Sequence, residues 1–333
     1  MCFNNQMVWK MGYHPVYLWT LPMFHCNGWC FPWTIVALAG TQICTKSFDG
    51  REILKLIDKN DVSHLCGAPI VLQMIIDNKN LKKTKKVVKI MTAASPPPPS
   101  VLEDIEKSGF VVTHVYGLTE SYGPAVICEW QTEWENLKST TKKATLKARQ
   151  GVKYPSLEFL DVFDTKNMKP VKRDGKSLGE VFFRGNIIMK GYLGNKEANK
   201  AVFKNGWFHT GDLAVMHQDG YIELKDRSKD IIISGGENIS SIEIEKIIIK
   251  HPKVKDCAVI GIKHQRWGEV PCAFVEKNTE NLTKEELIKH CRKNLAGFKM
   301  PKKILFEQLP RTSTGKIQKF NLRKVLNKHN AKI

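Results

Sequence analysis

Apolar positions along the chain fall into three successive patterns. In the first, VSHLCGAPIVLQMII (62–76) predicts a buried strand, a Gly-Ala-Pro loop and an apolar helix. VLEDIEKSG (101–109) then predicts a helix closed by Gly109, and FVVTHVYG (110–117) a strand. Strand, helix and strand in alternation are the units of a mostly parallel sheet, and ligands of such sheets bind beyond the carboxyl ends of the strands. Between them PPPP (96–99), following MTAAS, reads as a short rigid extended turn.

From about residue 150 the pattern shortens to glycine-punctuated strands: LEFLDVFD, GEVFFRG and LAVMHQDGYIELK. In the last, Asp219-Gly220 between two alternating runs predicts a hairpin, so 151–225 reads as an antiparallel β-rich subdomain. After KDRSKD (225–230) comes a third pattern. IIISGGENISSIEIEKIIIKHP gives a strand, a glycine turn and a helix started by Ser240 with Glu243 three residues on. KEELIKHCRKNLAG gives a second helix, with Thr283 at its start and Gly297 as its stop. Residues 226–333 therefore form a compact α+β module, and 1–150 an α/β region before it.

Residues 11–45 contain no Asp, Glu, Lys or Arg, long enough for a membrane span to be considered. Pro15, Pro22, Asn27 and Pro32 argue against one, and a buried soluble core is the better reading. MCFNNQMVWK lacks the basic head and continuous apolar run of a secretion signal. This core-like stretch starts almost at Met1 with no strands before it to pack against, so the chain reads as beginning in mid-domain.

Charge changes the picture modestly. Over 333 residues, 52 Lys and Arg exceed 33 Asp and Glu by 19, which favours an anionic partner such as nucleic acid, a membrane surface or a phosphate-rich small molecule. The lysines are scattered, as in KKTKKVVK (82–89), with no arginine stripe or aromatic ladder, so a solvated surface is preferred to a nucleic-acid face. Nine cysteines with no C-x-x-C pair indicate reduced thiols in an intracellular protein. Cys26 and Cys30 lie four apart, a spacing helix packing explains as well as a ligand role.

RTSTGKIQK (311–319) ends like a phosphate-binding P-loop, but that motif needs a second glycine where Pro310 stands. Five segments in order point elsewhere: LPMFHCNGW (21–29), YGLTE (116–120), GEVFFRGNIIMKGY (179–192), GWFHTGDLAVMHQDGYIELKDRSKDIIISGGENISSIEIE (206–245) and PRTSTGKIQK (310–319). Together they resemble the adenylate-forming acyl-CoA synthetases, a superfamily that includes firefly luciferase and peptide-synthetase adenylation domains. The wording around HPVYLWTLPMFHCNGWCFPW, CEWQ and LKARQGV is most similar to plant acyl-activating enzymes, which join short or medium acids, or benzoate- and cinnamate-like acids, to coenzyme A.

The resemblance implies an α/β fold: a partial parallel-sheet large domain with its β-rich subdomain, then a small mobile α+β domain. It also implies a chemistry, in which a carboxylate attacks the α-phosphate of ATP and the CoA thiol then attacks the acyl carbon. Two anions must meet, so charge neutralisation and alignment dominate. By resemblance Glu120 is a Mg²⁺ ligand, Thr119 gives a hydroxyl to the α-phosphate, and Tyr116 with Gly117 borders the adenine. Asp212 accepts the ribose hydroxyls, assisted by Arg227, and Lys229 is the interdomain hinge. Gly235, Gly236 and Glu237 line the pantetheine tunnel, and Lys316 bridges carboxylate and α-phosphate in catalysis. His25, Trp29, Ser121, Tyr122 and Gly123 border the acyl pocket. ATP, Mg²⁺ and coenzyme A are the implied cofactor and co-substrates.

The family's Ser/Thr/Gly-rich phosphate loop, expected upstream of LPMFH, has no counterpart in residues 1–20. Roughly two hundred residues of a complete member are missing, and WTLPMFHCNGWCFPW is expected to expose apolar surface to which they would pack. A ligase by descent, a non-catalytic remnant that binds ligands or associates with a full-length relative, and a basic nucleic-acid binder are the three functional readings, in that order. The carboxyl-terminal Ala-Lys-Ile resembles a peroxisomal address such as Ser-Lys-Leu, the cytosol being the alternative.

Overall fold

A computed structural model describes residues 1–47, 49–78, 81–93, 99–312 and 315–330. The chain folds as two compact units, one of residues 1–210 with 214–224, the other of 211–213 with 225–333.

The first unit is built on a seven-stranded sheet in the order Thr41–Cys44, Val16–Trp19, His64–Gly67, Val88–Thr92, Phe110–Leu118, Gly123–Ile127, Val152–Lys153. The first five strands run parallel, the sixth is antiparallel to the fifth, and the seventh is antiparallel to the sixth. Successive residues of the parallel strands enter opposite cores, as a sheet covered on both faces requires. Leu18, Leu65 and Ile90 pack with Ile53, Ile57, Leu72, Ile75, Leu102 and Ile105 of three helices, Gly50–Asn60, Pro69–Ile76 and Pro99–Lys107. Their neighbours Tyr17, Cys66 and Met91 pack on the other face with Trp9, Trp29, Phe31, Ile35 and Tyr154. Of the PPPP run, 96–98 lie outside the described residues, and Pro99 opens its helix, where a missing N–H costs nothing.

Much of the 11–45 stretch is therefore core: Trp19, Leu21, Trp29 and Phe31 are buried. Other apolar residues of this stretch stay open, with Phe24 69%, Trp33 49% and Val36 67% exposed, as does Phe3 before it at 77%. Among the described residues no helix is long and apolar enough to cross a membrane.

A second sheet has the order Phe203–Lys204, Trp207–Met216, Leu178–Arg184, Phe159–Asp164, Lys169–Pro170, and the strand Ile222–Arg227 pairs with Trp207–Met216. Asp219 and Gly220 lie in the turn between these two, Gly220 at φ 82°. Buried Arg149 braces that turn: it forks onto Asp219 (2.9 and 3.2 Å) between the rings of Trp134 and Tyr221, 4.9 and 4.5 Å from its guanidinium carbon.

The second unit carries a sheet in the order Glu237–Ile239, Ile232–Ser234, Gly268–Lys277, Val254–His264, with Lys303–Phe306 parallel to Gly268–Lys277. Val259, Ala273 and Val275 face the helices Ser241–Ile248 and Lys284–Asn294, while Ala258, Ile260, Cys272 and Phe274 face the helix Lys319–Asn330. Ser240 and Thr283 cap their helices, accepting from the N–H groups of Glu243 and Glu286. The second of these ends earlier than its glycine suggests. Leu295 is extended and buried in the core, which stops the helix at Asn294, and Gly297 opens a short 3₁₀ turn instead.

Candidate functional site

In the first unit the candidates collect at the carboxyl end of the strand Phe110–Leu118. Its pairing with Gly123–Ile127 is irregular between Tyr116 and Gly117, and a Cβ on Gly117 would stand 1.9 Å from the carbonyl oxygen of Gly123. Only glycine allows that approach. Tyr116 is buried, its ring 5.8 Å from that of Phe183. Thr119, Glu120 and Ser121 then form one 3₁₀ turn. Buried Ser121 accepts from the N–H of Leu118 (2.9 Å) and lies 2.9 Å from the carbonyl of Gly123. Tyr122 is left-handed at φ 58° and Gly123 has φ 99°.

Against this loop lies the segment containing His25 and Trp29. A Cβ on Gly123 would meet the Trp29 backbone at 3.3 Å, and Cys26 Sγ lies 3.4 Å from Thr119 Oγ1. The rings of His25 and Trp29 are 6.4 Å apart. Cys26, Asn27, Gly28, Trp29 and Cys30 all have positive φ, from 44° to 67°, so the Cys26/Cys30 spacing belongs to a left-handed turn and not to ordinary helix packing. Asn5 Nδ2 holds it through the Trp29 carbonyl at 2.7 Å, and Gly28 sits where a Cβ would strike the Trp19 ring at 2.7 Å.

Glu120 is fixed from two sides. Its backbone carbonyl accepts from the N–H of Met189 (2.7 Å), and its Oε1 accepts from the hydroxyl of Tyr192 (2.7 Å). Partial burial and the Glu120 carboxylate push the Tyr192 phenol up to about 12, so it stays a donor. Asn199 pins Tyr192 in turn, bonding its N–H at 2.6 Å and its carbonyl at 2.9 Å. Tyr192 closes the GEVFFRGNIIMKGY segment but no spacing linked it to Glu120, 72 residues away. Among the described residues no cluster of three or more His, Cys, Asp or Glu could hold a metal. One carboxylate suits Mg²⁺ bound chiefly through nucleotide phosphates and water, so the residues fit that ion.

In the second unit Asp212 is buried, with Arg227 Nε 3.3 Å from its Oδ1. The N–H of Ser228 donates to the carbonyl of Gly211 at 2.9 Å. Lys229 is exposed, in a turn whose Asp230 N–H donates to the Arg227 carbonyl. Gly235 and Gly236, at φ 60° and 88°, form a two-residue hairpin between Ser234 and Glu237, a turn with two positive φ angles. Trp267 lies over it: the Gly235 N–H donates to the Trp267 carbonyl at 2.8 Å, and a Cβ there would be 3.0 Å from the indole. Arg266 stacks on the same ring at 4.8 Å. Lys316 is exposed on a loop closed by its own backbone, its N–H to Thr312 Oγ1 (3.1 Å) and its carbonyl from the Thr312 N–H (2.8 Å). Residues 313 and 314 of that motif, and the terminal Ala-Lys-Ile, lie outside the described residues.

A parallel sheet with a bulged strand end, a β-rich neighbour and a separate α+β unit define an adenylate-forming fold. Residues 1–193 match the family model of the AMP-binding enzymes and 243–316 that of the AMP-binding enzyme C-terminal domain, and the chain belongs to this family. It is 50% identical over 332 residues to the peroxisomal acetate/butyrate–CoA ligase of Arabidopsis thaliana, covering 97% of this chain and 58% of that protein. It is 50% identical over 326 residues to the peroxisomal trans-cinnamate:CoA ligase of Petunia hybrida, covering 97% and 57%. Among solved structures it superposes on o-succinylbenzoate CoA synthetase of Bacillus subtilis in complex with its acyl-adenylate intermediate, with a TM-score of 0.84 and 26% identity over 97% of this chain and 63% of that one. The chain thus spans less than two thirds of the length of each.

Proposed function

We propose that the chain acts as a carboxylate–CoA ligase, forming an acyl-adenylate from ATP and passing the acyl group to coenzyme A. The observation that carries this reading is Glu120, oriented by Tyr192 at the carboxyl end of the strand Phe110–Leu118. Glu120 would hold Mg²⁺, which when bound neutralises phosphate charge. Thr119, exposed beside it, offers a hydroxyl to the α-phosphate, and Tyr116 with Gly117 walls the adenine side. Asp212, buried beside Arg227, offers two carboxylate oxygens suited to accept two ribose hydroxyls. Lys316 supplies the mobile cation that offsets repulsion between carboxylate and phosphate. Lys229 is the hinge in this reading, and Gly235, Gly236 and Glu237 lie along the CoA thiol's path.

The acid would be enclosed by His25, Trp29, Ser121 and Gly123. Relatives of equal identity are named for acetate or butyrate and for trans-cinnamate, so the substrate is a small monocarboxylic acid of either kind, and a peroxisomal location is supported by both names. ATP–pyrophosphate exchange by the purified chain over acetate to hexanoate, benzoate and cinnamate tests this. Exchange with one acid, lost on the order of 10²–10³-fold in Lys316→Ala, is the expected result. AMP binding without exchange with any acid would replace ligation by ligand binding alone.

A further inference from the structure

Lys319 opens the last helix, three residues beyond Lys316, and its ammonium is almost wholly enclosed within the second unit. Nζ lies 2.6 Å from Ser241 Oγ and 2.8 Å from Glu245 Oε1. Ser241 passes the contact on, its N–H and hydroxyl donating to Asp226 Oδ2 at 2.6 and 2.7 Å. Asp226 is buried, and its other oxygen accepts from the N–H of Arg227 at 2.8 Å. One turn along the same helix face, Arg323 reaches Asp230 Oδ1 at 2.7 Å and the carbonyl of Lys229 at 3.4 Å. The segment 226–230 is thus stapled at both ends to one helix, leaving Arg227, Ser228 and Lys229 exposed between buried aspartates. Burial works against the charge of Lys319, but Glu245, Asp226 and Asp230 outweigh it and hold the ammonium above its ordinary range.

We propose that Lys319 is a positioning residue that locks the Lys316 loop to the Asp226–Arg227 segment, so that the two move as one body. A buried cation serving stability alone could sit anywhere in the core. This one joins the two stretches that carry the unit's candidate catalytic and ribose-binding groups, and it does so through a serine whose hydroxyl accepts on one side and donates on the other. What those groups do rests on the proposed ligase reading; the mechanical link does not.

Amide hydrogen exchange on the full chain tests it without reading activity, so a chain that shows no pyrophosphate exchange could still show the link. In Lys319→Met, amides of 225–231 and of 311–319 should both exchange about tenfold faster, with the strands Val254–His264 and Gly268–Lys277 unchanged. Ser241→Ala should loosen 225–231 alone, because Glu245 still holds Lys319. The double variant should be no looser at 225–231 than Lys319→Met, the signature of a shared path. Additive effects, or loosening of 311–319 with 225–231 unmoved in Lys319→Met, would overturn the proposal. So would a uniform loss of protection through both strands in Lys319→Met accompanied by an unchanged 225–231 in Ser241→Ala.

Discussion

The hydroxyl of Tyr192 donates to Glu120 Oε1 across 2.7 Å, tying the 3₁₀ turn after one sheet to the loop that leaves another. Hydrogen bonds to a charged group contribute about 1.5–3 kcal/mol. Tyr192→Phe should therefore lower acid-dependent ATP–pyrophosphate exchange by about 10–10²-fold and raise the Mg²⁺ concentration needed for half-maximal rate. Thermal unfolding should move little, because Tyr192 is partly exposed. A variant with unchanged Mg²⁺ dependence would remove the tyrosine from the site.

Gly117→Ala tests the irregular strand end. The new methyl would meet the Gly123 carbonyl oxygen at 1.9 Å, so the backbone has to part, and overpacking of this kind costs about 1–3 kcal/mol. Urea unfolding should show that loss, and adenylate formation should fall more steeply than stability because Thr119 and Glu120 shift with the strand. Full activity in a destabilised variant would mean the close approach is structural only.

His64 sets an acid limit to stability. Burial, then the nearby Lys89 ammonium, lower its pKa from 6.5 to about 4. Its folded pKa lies below the unfolded one, so between pH 6.5 and 4 the unfolded chain binds more protons; the stabilisation is complete above 6.5 and is lost as pH falls through that window. From pH 7 to 5 the loss is about 2 kcal/mol. Urea titrations at the two pH values should show it, and His64→Phe should remove most of the difference.

Arg149→Met tests the brace on the 217–221 turn. Asp219 is 43% exposed at its side chain, so the ion pair itself is partly screened by water, and most of the effect should come from lost packing between Trp134 and Tyr221. A fall of about 2 kcal/mol is expected by chemical denaturation, nearly independent of salt. Strong salt dependence would return the credit to the ion pair.

The sheet-and-helix alternation of 62–117 was legible because each buried strand and each helix carries its own local period. VSHLCG and APIVLQMII became the strand His64–Gly67 and the helix Pro69–Ile76 with bounds close to those read. The stop at Asn294 was not legible, since what ends that helix is the place Leu295 takes in a distant core. Nor could CNGWC announce its handedness. That depends on Asn5 and Trp19, which are close to it only after folding. Glu120 and Lys316 stood out by motif, whereas Tyr192 and Lys319 work through partners 72 and 74 or more residues away and follow no spacing.

Five left-handed residues in succession, four of them bearing side chains, represent about 1–2 kcal/mol of opposing conformational energy apiece. This stretch therefore constrains the alphabet more than it constrains shape. At 26, 27, 29 and 30 a β-branched residue is excluded by chirality whatever room surrounds it, while asparagine, as at 27, is tolerated. Tyr122, left-handed at φ 58° in the loop packed against this stretch, falls under the same exclusion, so the two facing segments share one restricted alphabet.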